Sequence, residues 1–188
     1  MLSIKNNNKY EYIIKNSKFI SLLFKVTIKE EVKDYLNKVK EEYPNATHYC
    51  YAYIIDNDTK FSDDGEPSKT AGLPIFTQLE GNNLNYALII VVRYFGGIKL
   101  GTGLLTYTKV AKEVITKDNI IELTKGYNIT IIFDYEDIKN IDYLLKDSQI
   151  LKKDFQDNIT YNVNVNEEIF NKLQNYNIKI NKDIYIQK

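Results

Sequence analysis

Hydrophobic and polar positions repeat with period two in some stretches, at helical spacing in others, and not at all in a few, and these changes lay out the elements of the chain. Tyr10 to Ile14 alternates; after a short polar break at Asn16 and Ser17, Phe19 to Val26 reads as a second strand, so the two predict a hairpin. Thr27 with Glu30 reads as a capping box, and Ile28, Val32, Tyr35, Leu36, Val39 and Tyr43 then recur at helical spacing until Pro44 and Asn45 stop the pattern. HYCYAYII, from His48 to Ile55, predicts a strand with His48, Cys50, Ala52 and Ile54 on one face and Tyr49, Tyr51, Tyr53 and Ile55 on the other. Asp56 to Ala71 is polar and rich in turn residues and reads as one long loop. Pro74 fits only a first helical turn, which predicts a helix from Gly72 to about Glu80. Tyr86 to Arg93 is an unbroken apolar run and therefore a strand buried on both faces. Leu104, Tyr107, Val110, Ala111, Val114 and Ile115 predict a helix ending near Asp118.

Beyond Asp118 the pattern changes. A strand from Ile120 to Phe133, broken around Gly126, precedes a helix capped by Asp134 and carrying Ile138, Ile141, Leu144 and Leu145. Strands near Ile150 to Phe155 and Thr160 to Val165 follow, then a helix capped by Asn166 and a last strand through Ile178, Ile180, Ile184 and Ile186. This β-α-β-β-α-β order is the ferredoxin-like arrangement. The chain is thus expected to hold two α+β domains, 1–118 and 119–188.

Composition narrows the function classes. A formal net charge of zero argues against a broadly basic nucleic-acid coat, so any such binding must be local. No apolar run reaches the ~18 to 20 residues of a membrane span, and the N-terminus lacks a signal-peptide core, so a cytoplasmic protein with no membrane contact is expected. Cys50 stands alone, which leaves no intramolecular disulfide and no multi-cysteine zinc site. Of the 25 basic residues only Arg93 is an arginine, and it ends the central strand.

Directly after Arg93 come Gly96, Gly97, Gly101 and Gly103, half of all the glycines. Strand, glycine-rich loop and helix start form a geometry in which backbone N–H groups converge on an anion. Arg93 and Lys99 would supply charge, the amides of Gly96, Gly97 and Gly101 orientation, Thr102 a hydroxyl and Tyr94 a stacking ring, with Lys69 and Thr70 extending the site. The loop fits neither the Walker A pattern nor the dinucleotide fingerprint. A tight strand-to-helix turn is the other reading of the same glycines. Asp63, Asp64 and Glu66 either hold Mg²⁺ or order their own loop through Arg93 or Lys69. His48, the sole histidine, is an acid–base candidate or a structural residue.

SDDGEPSKTAGLP (Ser62 to Pro74) and VVRYFGGIKLGTG (Val91 to Gly103), with ATHYCYAY (Ala46 to Tyr53) ahead of them, resemble the IMPACT family, and within it the bacterial YigZ-type members. The resemblance covers the whole chain. It implies a first domain with the ribosomal-protein S5 domain 2-like fold and a ferredoxin-like second domain similar to a C-terminal domain of elongation factor G. Two departures stand out: Lys69 occupies a position where the family commonly has glycine, and Leu104, Leu105 and Thr106 replace its usual continuation after Gly103. Eukaryotic family members act in translational control. The expected function is therefore a non-enzymatic, translation-associated regulatory protein that binds RNA, the ribosome or a ribosome-linked protein through the two loops, with no cofactor. The competing readings are an Mg²⁺-dependent enzyme acting on a phosphorylated small molecule, and a protein-interaction module whose motifs serve only the fold.

Overall fold

Apolar side chains on both faces of a strand require cover on both faces, and in the computed structural model, which describes residues 1–101 and 103–188, the first unit is built that way. The chain divides into two compact units, Met1–Glu122 and Leu123–Lys188. In the first, β1 (Leu2–Ile4), β2 (Asn8–Ile14) and β3 (Ser17–Lys25) lead into α1 (Lys29–Glu42). Then come β4 (His48–Ile55), β5 (Asp58–Ser62), α2 (Gly72–Gly81), β6 (Ala87–Tyr94) and α3 (Gly103–Glu113). The main sheet is antiparallel in the order β2-β3-β6-β4-β5. From Ala87 to Val92 every residue of β6 is buried.

One face carries Phe19, Leu23, Cys50, Ala52, Ile89 and Val91 and packs against Ile75 and Leu79 of α2 and Tyr107, Val110 and Ala111 of α3. On the other face Tyr35 of α1 stacks on Phe24 with ring centroids 4.2 Å apart. The β2–β3 connection is a two-residue turn with φ of 46° at Lys15 and 60° at Asn16, the left-handed pair that matches hairpin twist.

Several sequence expectations shift. The first turn of α1 is held by Glu31, not Glu30: its carboxylate accepts from the backbone N–H of Thr27 at 2.6 Å. The loop expected over 56–71 begins as β5, which pairs with β4; its solvated edge position removes the alternation that would mark a strand. Helix α3 stops at Glu113, and a 3₁₀ turn over Lys117–Asn119 follows. Strand β7 (Ile120–Phe133) runs through Gly126 unbroken, because glycine is what lets the carbonyl of Val165 approach the backbone there.

The boundary between units lies inside β7. Its first three residues pair with β1, and from Leu123 onward it pairs with the second unit's strands. That unit continues with α4 (Ile138–Leu144), β8 (Gln149–Phe155), β9 (Ile159–Asn166), α5 (Glu167–Lys172) and β10 (Asn177–Gln187). The sheet order β10-β7-β9-β8, antiparallel throughout, is the ferredoxin-like topology expected. Asn166 caps α5 by accepting from the Ile169 N–H at 2.8 Å. The cap expected from Asp134 on α4 is not made: Asp134 precedes a 3₁₀ turn, Tyr135–Asp137, that runs into this helix, and its carboxylate accepts from the Asn158 side-chain amide instead of a helix N–H. The core of this unit holds Ile129, Ile131, Ile141, Tyr161, Val163 and Leu173. Among the described residues no helix is long and apolar enough to cross a membrane.

Candidate functional site

Register places Phe19, Arg93 and His48 side by side across β3, β6 and β4. Their side chains share the face covered by α2 and α3, at the end where the loop after β5 and the loop after β6 both leave the sheet. Glu66 enters from the first of these loops. Its side chain is only 6% exposed, and its Oε1 accepts hydrogen bonds from Arg93 Nη1 and, at 2.8 Å, from the Tyr107 hydroxyl of α3. His48 Nε2 lies 3.8 Å from the same oxygen, while its Nδ1 carries a proton donated to the Asp64 carbonyl at 2.7 Å. The Arg93 guanidinium sits against the rings of Phe19 and Phe95, 5.4 and 5.6 Å from their centroids, and its Nε is buried without a partner. Cys50 donates to the Asp63 carbonyl at 3.0 Å and lies 3.4 Å from the Tyr107 hydroxyl. Burial pushes the Cys50 thiol up to about 12, so it stays protonated. Burial, reinforced by Cys50 and Glu66, likewise raises the Tyr107 phenol.

The other carboxylates of the acidic loop are engaged separately. Asp63 accepts three backbone N–H bonds, from Lys69 at 2.8 Å, Ala71 at 3.0 Å and Gly72 at 2.8 Å, and so caps α2 from outside the helix. Desolvation, the largest single influence, works to raise its pKa, but the three donors together hold it below the usual carboxylate value. Asp64 accepts from the Tyr49 N–H at 2.6 Å. Among the described residues no three of His, Cys, Asp and Glu gather closely enough to hold a metal ion. Lys69 has φ of 61°, in the left-handed region that glycine occupies without cost, which accounts for the glycine common at this position in the resembled family. Its contact with Asp63 is made by the main chain rather than the ammonium. Thr70 donates its hydroxyl to the Pro67 carbonyl at 2.6 Å.

In the glycine loop, Gly96 packs so closely on Asn16 and Ser17 that a Cβ would strike their backbone, and its N–H donates to Ser17 Oγ at 3.1 Å. Phe95 N–H donates to Thr47 Oγ1 at 2.9 Å, and Tyr94 donates its hydroxyl to the Pro44 carbonyl at 3.1 Å. Gly97 and Gly101 have φ of 82° and 78° with open space around them. Lys99 is exposed, and Thr102 lies outside the described residues. The structure therefore brings Arg93 to Glu66 and turns the loop's apolar residues outward. Phe95 is 45% exposed, Ile98 46% and Leu105, in the first turn of α3, 70%.

Sequence reasoning missed Tyr107, whose helical spacing is that of any core residue, and it left His48 without a partner. Only the parity of β4 and β6, which puts His48 and Arg93 on one face once the strands are paired, would have signalled the cluster. Hollows of about 490 and 330 Å³ lie elsewhere, the larger beside Lys146, Ser148, Asn164 and Lys172 and the smaller beside Lys5, Asn6 and Asn119.

The family model described as the Impact N-terminal domain matches residues 15–115. The IMPACT family member YvyE of Bacillus subtilis (strain 168) is 35% identical over 173 residues, 88% of this chain and 80% of that protein. The IMPACT family member YigZ of Escherichia coli (strain K12) is 35% identical over 152 residues, 76% of this chain and 74% of that protein. A crystal structure described only as that of a hypothetical protein superposes with a TM-score of 0.63 at 30% identity, covering 94% of this chain and 95% of the other. The span matched by the family model contains Glu66, Arg93, His48, Tyr107 and both loops, and with two relatives aligned over most of their lengths the chain belongs to the IMPACT family.

Proposed function

We propose that this protein is a non-enzymatic, cytoplasmic, translation-associated regulator that docks a ribosome-linked protein on the surface formed by the glycine loop and the start of α3. The observation that carries this reading is the commitment of the motifs' charged groups to one another. Glu66 is held by Arg93 and Tyr107, Asp63 by three main-chain amides and Asp64 by Tyr49. What faces solvent is Phe95, Ile98, Lys99 and Leu105, an apolar surface with a cationic member, which fits a protein partner better than a phosphate. The two sequence motifs then act as clamp and platform: the first fixes the second, and the second makes the contact. The translational setting rests on the family resemblance.

The test is co-sedimentation of the purified chain with ribosomes and with ribosome-stripped factors, comparing wild type with Ile98→Asp and Leu105→Asp. Both positions are exposed, so the variants are expected to fold and to lose at least about tenfold in affinity. Equal sedimentation of wild type and both variants would refute the docking surface. Binding that survives these changes but disappears on nuclease treatment and with Lys99→Glu would instead favour RNA at the same loop.

A further inference from the structure

A strand turns alternate side chains to opposite faces, and on the second unit's sheet α4 and α5 cover only the face that carries Ile129, Ile131, Tyr161 and Val163. Register assigns the intervening residues to the other face, whose middle is polar and uncharged, with Ile132 toward one end and Ile184 toward the other. Gln149, Asn164 and Asn128 lie in one row across β8, β9 and β7, and Asn181, at the bulge of β10, completes it. They are joined amide to amide. Asn164 Nδ2 donates to Gln149 Oε1 at 3.0 Å, Asn128 Nδ2 donates to Asn164 at 2.8 Å and to Asn162 at 2.9 Å, and Asn181 Nδ2 donates to Asn128 at 3.0 Å and to Thr130 Oγ1 at 3.0 Å. Asn128 is buried at the centre and fixes its neighbours, whereas Gln149 and Asn181 are exposed. The result is a rigid plane of hydrogen-bonding groups.

Three lysines flank this plane on the same face. Lys152 lies opposite Asn162 on β8, and Lys179 and Lys182 lie opposite Thr130 and Asn128 on β10. All three are exposed and none is paired with a carboxylate among the described residues. They stand at the two edges of a four-stranded sheet, about 14 Å apart by three strand spacings. Asp154, opposite Thr160, is the one carboxylate that register places among them. No aromatic residue occupies this face, since Tyr127, Phe133, Tyr161 and Phe155 all have the opposite parity. Unpaired bases would find no stacking platform. Double-helical RNA needs none: its wide, shallow minor groove displays 2′-hydroxyls between two rows of phosphates and is read by shape and backbone contacts.

We propose that the open sheet face of the second unit binds the minor groove of double-helical RNA, the amide row taking 2′-hydroxyls and Lys152, Lys179 and Lys182 taking phosphates on the two flanking strands. This site is in the other unit from the glycine-loop surface and does not depend on it. The test is fluorescence anisotropy of the full chain with a labelled RNA hairpin of about 16 base pairs. The same sequence as duplex DNA and as single-stranded RNA provides the comparison. The duplex RNA is expected to bind at least about tenfold tighter than either. Three phosphate contacts weaken binding about 40-fold between 50 and 200 mM salt, and Lys152→Gln/Lys179→Gln/Lys182→Gln should remove that dependence. Asn181→Ala should narrow the preference for RNA over DNA while leaving the salt dependence in place. Ile98→Asp should change neither. Equal binding of duplex DNA, a preference for the single strand, no binding at 50 mM salt, or a triple variant with wild-type affinity and salt slope would each overturn the proposal, and a thermal melt of each variant confirms its fold.

Discussion

Replacing Glu66 by leucine leaves the Arg93 guanidinium buried, with its Nη1 deprived of its acceptor and its Nε already without one. Removing one partner of a buried ion pair costs about 3 to 5 kcal/mol, because the surviving charge keeps its desolvation penalty and loses its compensation. Arg93→Met makes the converse change, with only Tyr107 left to serve the carboxylate, and is expected to cost a similar amount. Glu66→Leu/Arg93→Met removes both charges from one apolar environment lined by Phe19 and Phe95 and should lie within about 1 to 2 kcal/mol of wild type. The coupling energy between the two sites is then at least about 4 kcal/mol. For a unit of this size each single variant corresponds to a fall in Tm of about 10 to 20 °C. The chain has no tryptophan, so thermal and urea unfolding followed by far-UV circular dichroism is the assay, with amide hydrogen exchange in β3, β4 and β6 locating the loss in the first unit. Single variants that cost under about 1 kcal/mol, or a double variant whose cost is the sum of the two, would refute the account of Glu66 and Arg93 as one unit.

Other consequences are smaller and separable. Asp63→Ala should cost about 1 to 2 kcal/mol at pH 7 by uncapping α2. Because the folded-state pKa of Asp63 is depressed below its ordinary 3.8, its contribution is complete above that value and fades as pH falls through the folded value. The gap in urea midpoint between wild type and variant should therefore close below about pH 4, and a constant gap down to pH 2.5 would contradict the capping role. Gly96→Ala should destabilise by about 1 to 3 kcal/mol through its clash with the Asn16–Ser17 backbone. Gly97→Ala meets only the strain of φ 82° and should cost about 1 kcal/mol, so equal effects in chemical denaturation would count against the close packing at Gly96. Lys69→Gly relieves a φ of 61° and should raise stability by about 0.5 kcal/mol; a loss would mean that the lysine side chain contributes more than its backbone costs.

Local patterning carried a large part of this fold, and the exceptions have physical causes. Strand β4 occupies His48–Ile55, as alternation predicts, and Asn166 caps α5 because capping is a contact across three residues. β5 is hidden in the sequence because a solvated edge strand buries nothing on either side. Gly126 reads as a break until Val165 is placed against it. Within the candidate site, charge and glycine content alone single out Glu66 and Arg93, 27 residues apart, but not their pairing. Tyr107 completes the cluster from 41 residues beyond Glu66, across an element whose spacing marks it only as core.

The sequence by itself determined the succession of strands and helices, the ferredoxin-like order of the second unit and the two loops that mark the family, since each is set by residues within a turn or a strand length of one another. Tertiary structure alone decided which charges meet, which backbone amides Asp63 satisfies, and that Phe95, Ile98 and Leu105 face outward while Arg93 does not. Those outcomes depend on strand register and on which segments burial forces together, and neither quantity is local.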